Sequence, residues 1–285
     1  GTIFGTFEQQ QAEDESADDG SVESQLQMAA MRGDAKDVRR WLGLGARMNA
    51  TNKRGQTPLF LAVGAPEMTA FNSLLWAFAD VEIKDSNGWT ALMMACRMHK
   101  SAVVSALISR GACVNNQSLG GKTALMLAAT ACKLDSVQLL CRKMADLTLS
   151  DTRGWTALFF AIETKRAVVV KYLMTHPNAK PAVSKDGKTP LMIACETDAG
   201  LNVVQAIIKS KGQLDAQDIA GDTALMISLR QEAKELTSTI LRAGASVAQK
   251  NKAGKTCIDI ARAFSNKELS QLLEHNEGDS VQEDL

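Results

Sequence analysis

The chain has nothing approaching the ~18 consecutive apolar residues of a helical membrane span, so no such span is expected. It holds only 5 prolines, and aromatics make up 5% of it, which disfavours a β-rich fold and suits short helices. Histidine is scarce, at His99, His176 and His275, too scattered to build a metal centre or a catalytic base. The six cysteines, Cys96, Cys113, Cys132, Cys141, Cys195 and Cys257, contain no C-x-x-C pair. A disulfide or metal frame is one reading of them. Reduced thiols filling small core positions in a reducing compartment is the reading preferred here. Neither a full phosphate-binding loop, an H-E-x-x-H helix nor a kinase-like set is present. Carboxylates are not paired in apolar surroundings, so catalysis is not expected, and neither is a cofactor or metal.

The first residues lack the basic start and apolar core of a secretory signal. An intracellular site, cytoplasm or nucleus, is the expectation. Gly1 stands where a starting methionine would, which keeps an organelle reached through a removed targeting segment among the readings.

Formal charge is zero overall but unevenly placed. Seven acids and no base fall within residues 1–23, and five acids without Lys or Arg within 274–285. The body between them keeps all 32 bases against 20 acids, a formal excess of twelve positive charges. Acidic tails thus flank a basic body.

What is abundant is regularity. Glycines recur at Gly55, Gly88, Gly121, Gly154, Gly187, Gly221 and Gly254, at intervals of 33 residues with one of 34. Two residues after each comes a threonine, from Thr57 to Thr256, and then a small residue or proline and an aliphatic. Such a fixed short period is the mark of stacked repeats, each too small to bury its apolar side alone. In the stretch from Asp85, Asn87-Gly88 is a turn signal and Thr90 is placed to cap a helix carrying Leu92, Met93 and Cys96 inward. A second helix is predicted from about Ser101 to Ser109, with Val103, Val104, Leu107 and Ile108 inward. It stops at Arg110-Gly111, where glycine suits the left-handed position. Gly120-Gly121-Lys122-Thr123 looks like a miniature phosphate loop, but it lacks the first glycine and is read as the repeat turn with its capping threonine.

At these residues the chain resembles the ankyrin-repeat proteins. The frame D-x-x-G-x-T-[PA]-L stands at Asp85 to Leu92, Asp151 to Leu158 and Asp218 to Leu225, with Asn or Ser first in four others. A turnless unit runs from Leu26 to Ala46. The resemblance implies an all-α ankyrin-repeat solenoid of antiparallel helix pairs joined by hairpin-like loops. It covers residues 24–274 in eight units, with caps at 24–51 and 251–274, an acidic tail over 1–23 and another over 275–285.

Several places depart from the family. Where ankyrin repeats usually carry histidine after T-P-L, this chain has Phe60, Met93, Met126, Phe159, Met192 and Met226. Apolar contact is expected to replace the polar link there. The glycine ending the second helix is replaced by Phe78, Met144, Pro177 and Lys211. A side chain held left-handed costs about 1–2 kcal/mol, so different geometry is expected at those helix ends. The longer interval places one extra residue in an inter-helix turn near Ala199-Gly200.

In ankyrin arrays, partners usually dock on the hairpin tips and the inner helix face. After the turn glycine this chain reads Gln56, Trp89, Lys122, Trp155, Lys188, Asp222 and Lys255. Trp89 and Trp155 are candidate exposed anchors for a protein partner, although a tryptophan there also suits mere coverage of the next turn. Lys122, Lys188 and Arg97 are candidate electrostatic guides. Met98, Glu163 and Arg230 belong to a mixed-charge strip after the first helices, which equally suits a solvated rim. Lys53 and Arg54 open a series of basic tip residues. The function expected is therefore an interaction module: an adaptor, scaffold or assembly subunit. Binding of nucleic acid or an anionic membrane surface through those tips is the alternative. Each end of the chain carries a short signal. Ile3-Phe4-Gly5-Thr6-Phe7 beside the acidic run suits a docking motif or a linker. Glu283-Asp284-Leu285 loosely fits a PDZ-domain ligand.

Overall fold

Residues 20–131, 134–210, 212–263, 271 and 273 are described by the structure, a computed structural model. Most of both acidic tails, Cys132, Lys211 and His275 fall outside the described residues, as do the docking and PDZ signals. The described residues form helices, turns and loops, with no strand among them.

The chain divides into two compact units at Ala145/Asp146. In the first, helices pair as α1 (Val22–Arg32) with α2 (Ala35–Gly43), α3 (Pro58–Gly64) with α4 (Thr69–Trp76), α5 (Ala91–Arg97) with α6 (Ser101–Ser109), and α7 (Ala124–Thr130) with α8 (Leu134–Arg142). In the second, α9 (Ala157–Glu163) pairs with α10 (Ala167–Thr175), α11 (Pro190–Glu196) with α12 (Leu201–Lys209), and α13 (Ala224–Arg230) with α14 (Lys234–Arg242), before α15 (Cys257–Ala263). Within each unit, first helices pack on the first helices of neighbouring repeats. Second helices do the same, as α2 on α4 and α10 on α12 show.

The local causes are those the sequence carries. Thr57, Thr90, Thr123, Thr189 and Thr223 each accept a hydrogen bond from the backbone N–H three residues on, satisfying a donor that the first helical turn leaves over. Val103, Val104, Leu107 and Ile108 are buried along α6 as predicted, and Gly111 is left-handed. Phe60, Met93, Met126, Phe159, Met192 and Met226 are all buried, which is the apolar contact expected in place of histidine. Two of them keep a weak polar role, because the sulfurs of Met126 and Met192 accept from the backbone N–H of Thr123 and Thr189. The turn joining α11 to α12 contains the extra residue, with Gly200 at positive φ and extended ψ just before α12.

Successive tips are tied by backbone hydrogen bonds: Ser86 to Arg54, Leu119 to Asn87, Lys185 to Arg153, Ile219 to Asp186 and Lys252 to Ala220, N–H to carbonyl in each case. The turn glycines sit beside these bonds with positive φ. A β-carbon on Gly221 would come within 2.7 Å of the Lys252 nitrogen, and one on Gly88 within 2.8 Å of Leu119 N. Glycine is thus demanded twice at these tips, by φ and by close approach.

One expectation needs correcting. Phe78 and Met144 do not reshape their helix ends; both stay left-handed, at φ 64° and 62°. The buried alanine that follows each explains why. Ala79 and Ala145 donate back to the carbonyls of Leu74 and Leu140, and that closure requires the left-handed residue before them. Pro177 does change the geometry as expected, since α10 runs out through an extended His176.

Candidate functional site

Each hairpin tip is an acceptor-centred turn. Asp85 Oδ1 accepts from the backbone N–H of Asn87 and Trp89, Asp151 Oδ1 from Arg153 and Trp155, and Asp218 Oδ1 from Ala220 and Asp222. Asn52 and Asn251 do the same, while Ser118 and Ser184 hold the later N–H only. The first frame residue therefore fixes the turn, and the residue after the glycine is aimed by it.

In three repeats that residue meets the last residue of the first helix, eight positions on. The guanidinium of Arg97 lies 5.4 Å from the Trp89 ring centre. Lys188 Nζ reaches both oxygens of Glu196 at 2.7 Å. Arg230 grips Asp222 with both terminal nitrogens, one of them at 2.8 Å. Positions read from the sequence as separate candidates are thus brought together in pairs. Trp89 is only 9% exposed, which corrects the expectation of an exposed ring. Met98 and Lys122 are half-buried, and Arg97, Glu163 and Arg230 are exposed. Lys53 is exposed and Arg54 half-buried.

Trp155 keeps a different neighbour. Arg153 stacks 4.0 Å from its ring centre and donates from Nε to Asp151 Oδ2 at 3.2 Å. The half-buried indole also faces Phe159 and Phe160, with ring centres 6.0 and 5.8 Å away. Arginine between a carboxylate and an indole is a rigid, partly desolvated cation at the tip. Elsewhere the basic tip series is partly engaged. Lys185 donates to the Thr152 carbonyl, and Lys84 to that of Gln117 at 3.4 Å.

A surface that sequence reasoning missed lies at the second-helix ends of the first unit. Trp76 is 74% exposed and Phe78 is 79% exposed. Arg110, from the next repeat, sits 5.3 and 5.6 Å from their ring centres. Leu44 and Met144 occupy the corresponding helix ends and are also largely exposed, and Arg40, Arg142 and Lys143 are exposed near them. The signal was present as the phenylalanine and methionine standing where glycine belongs. It was read as a backbone problem instead of a surface.

A family model for ankyrin repeats, in three copies, matches residues 26–118, 67–151 and 144–218. The chain belongs to the ankyrin-repeat family. Among curated relatives it is similar to ankyrin repeat and SAM domain-containing protein 6 of Mus musculus, 37% identical over 100 residues, and to that of Rattus norvegicus, 35% identical over 100 residues. The match covers 34% of this chain in each case and only 11% of each relative. Ankyrin repeats are in general protein–protein interaction modules. No helix among the described residues is long and apolar enough to cross a membrane.

Two further features of this ankyrin-repeat chain bear on chemistry. Cys96, Cys141, Cys195 and Cys257 are buried, and burial pushes the thiols of Cys96 and Cys195 up to about 12, which makes them core fillers and not nucleophiles. Cys113, which is exposed, departs from that pattern. The Asp222 carboxyl is pulled two ways. Burial opposes its ionisation, but the hydrogen bonds from Arg230 and Asn251 outweigh it and hold it below the usual 3.8. A depressed carboxyl stabilises the fold above its unfolded value and loses that contribution as pH falls through the folded one. Asp222→Asn should therefore be less stable than the native chain at pH 7. The gap should narrow as urea midpoints are compared down through pH 3; a constant gap would show that charge at Asp222 is immaterial.

Proposed function

We propose that this chain is the partner-holding part of an adaptor, scaffold or assembly subunit, and that it captures a protein through the helix-end surface of its first unit. The supporting observation is the Trp76–Phe78–Arg110 cluster. Phe78 sits in a backbone conformation that disfavours it while its ring stands in solvent, so neither its φ nor its burial favours folding. Tryptophan and arginine are the residues that most often dominate binding energy at interfaces. With Arg110 against the rings, and Arg40, Arg142 and Lys143 exposed at the neighbouring second-helix ends, the surface suits a partner presenting apolar anchors within an acidic rim.

The hairpin tips are a second proposed contact. In the first unit they offer Trp89, Arg97, Met98, Lys122, Lys53 and Arg54, and in the second Trp155, Glu163, Lys188 and Arg230. Their internal pairing argues for a secondary role, because a paired charge must be released before it can bind anything else. Photo-reactive p-benzoylphenylalanine introduced at Phe78 of the full chain should cross-link the partner. Cross-linking obtained from Lys122 or Trp155 but not from position 78 would move the interface to the tips.

A further inference from the structure

The repeat beginning at Asp151 differs from its neighbours at four places, and together they open a cavity. In five other repeats the residue after a helix end at positive φ donates back into the second helix. Ala46, Ala79, Ala112, Ala145 and Ala245 do so and are buried there. Pro177 has no N–H and cannot take positive φ, so this closure fails. Asn178, the counterpart of Ala145, is exposed, and Ala179 closes instead onto the His176 carbonyl. The segment that follows, Ala179 to Pro181, lines a cavity together with Thr156 to Leu158 at the start of the first helix. There Leu158 is half-buried, whereas Leu59, Leu92, Leu125, Leu191 and Leu225 are fully buried.

The resulting cavity has a volume of about 210 Å³, with Leu147, Leu173, Met174, Pro181 and Ile207 among the apolar side chains that line it. Thr189, Lys180, Ser210 and Gln213 line its polar side, and it opens to solvent; an apolar space of ~150 Å³ already admits benzene. Thr156 also lines it. This threonine is 8% exposed, makes no cap for its own helix, and its Oγ1 has no hydrogen-bond partner among the described residues. Five of its counterparts all cap their helices. A buried hydroxyl without a partner is costly unless something supplies an acceptor.

We infer that this cavity is a binding site for a small lipophilic molecule, somewhat larger than benzene, that carries one carbonyl-type acceptor for the Thr156 hydroxyl. The site is independent of the protein-binding surface and lies wholly within the second unit.

Acetophenone is a suitable probe, with ethylbenzene as its acceptor-free control. Titrating either into the full chain should shift the methyl resonances of Leu173, Met174 and Ile207 in carbon–proton NMR spectra. Thr156→Val should weaken acetophenone by ~3–10-fold and leave ethylbenzene unchanged or tighter. The double change Pro177→Gly with Asn178→Ala restores the Gly-Ala helix end found at Gly111-Ala112, over a loop of the same length to Ser184. It should raise the melting temperature and abolish both shifts. Ala179→Leu, which fills the mouth without touching the cap, gives an independent blocking variant. Unshifted methyls in the native chain would overturn the inference. So would equal loss of both probes in Thr156→Val, or undiminished binding in the blocking variants.

Discussion

Replacing Trp76 with alanine and Phe78 with glycine should lower the affinity for the captured partner by ~30-fold or more while leaving the fold intact. That figure is a floor set by the loss of one hot-spot anchor, about 2 kcal/mol; two such losses, if additive, reach about 1,000-fold. Stability is decided by smaller opposing effects. Phe78→Gly relieves about 1–2 kcal/mol of left-handed strain. Against this stand the extra chain entropy of glycine, about 0.5–1 kcal/mol, and the loss of an exposed arginine–ring contact worth about 0.5–1 kcal/mol. The expected balance lies between a loss and a gain of about 1 kcal/mol. Calorimetric titration of the partner identified by cross-linking, alongside thermal melts, reads both quantities. Unchanged affinity in the double variant would falsify the proposed surface. A large fall in melting temperature would instead make Phe78 a structural residue.

Gly221→Ala should be the most damaging single methyl added to this protein. The left-handed conformation alone costs a β-carbon about 1–2 kcal/mol. The new carbon would also lie 2.7 Å from Lys252 N and 3.1 Å from Asn251 Cα, both backbone atoms that cannot rotate away. Moving them stretches the Lys252-to-Ala220 bond that joins the two tips and disturbs Asn251, which donates to Asp222. A loss of about 3 kcal/mol or more is expected. Gly254→Ala provides the control. Its φ is similar, at 72°, but nothing lies within 4 Å of the added carbon among the described residues. That variant should lose the strain energy alone. If urea unfolding finds the two equally destabilised, close approach between tips contributes nothing.

Most of the architecture was legible because it repeats. A 33-residue period, capping threonines and inward aliphatics specify helix pairs without any tertiary information, and α6 ends where the sequence places it. The candidate site was legible only in part. Complementary types eight residues apart, Lys188 with Glu196 and Asp222 with Arg230, could have been paired on paper. The sequence alone does not say that the turn and the helix end face one another. Exposure of Trp89 was misjudged for the same reason, since Arg97 covers its ring. Phe78 and Met144 looked like defects in helix termination. Only the buried alanine after each shows why the backbone keeps its handedness and turns the side chain outward. The different geometry expected at Pro177 is found, but the cavity beside that helix end depends on how neighbouring repeats pack, and no local rule supplies that.

The backbone bonds between neighbouring tips act as a ruler. Each links residues 32 apart along the chain, except Ile219 and Asp186, which are 33 apart. The surplus residue between them, near Ala199-Gly200, is taken up in a turn joining two helices, clear of the bonded tips, so the bond forms despite the added length. Length variation in relatives of this chain is accordingly expected to collect in inter-helix turns, leaving the hairpin edge as the stretch where spacing is inherited unchanged and only side chains are free to diverge.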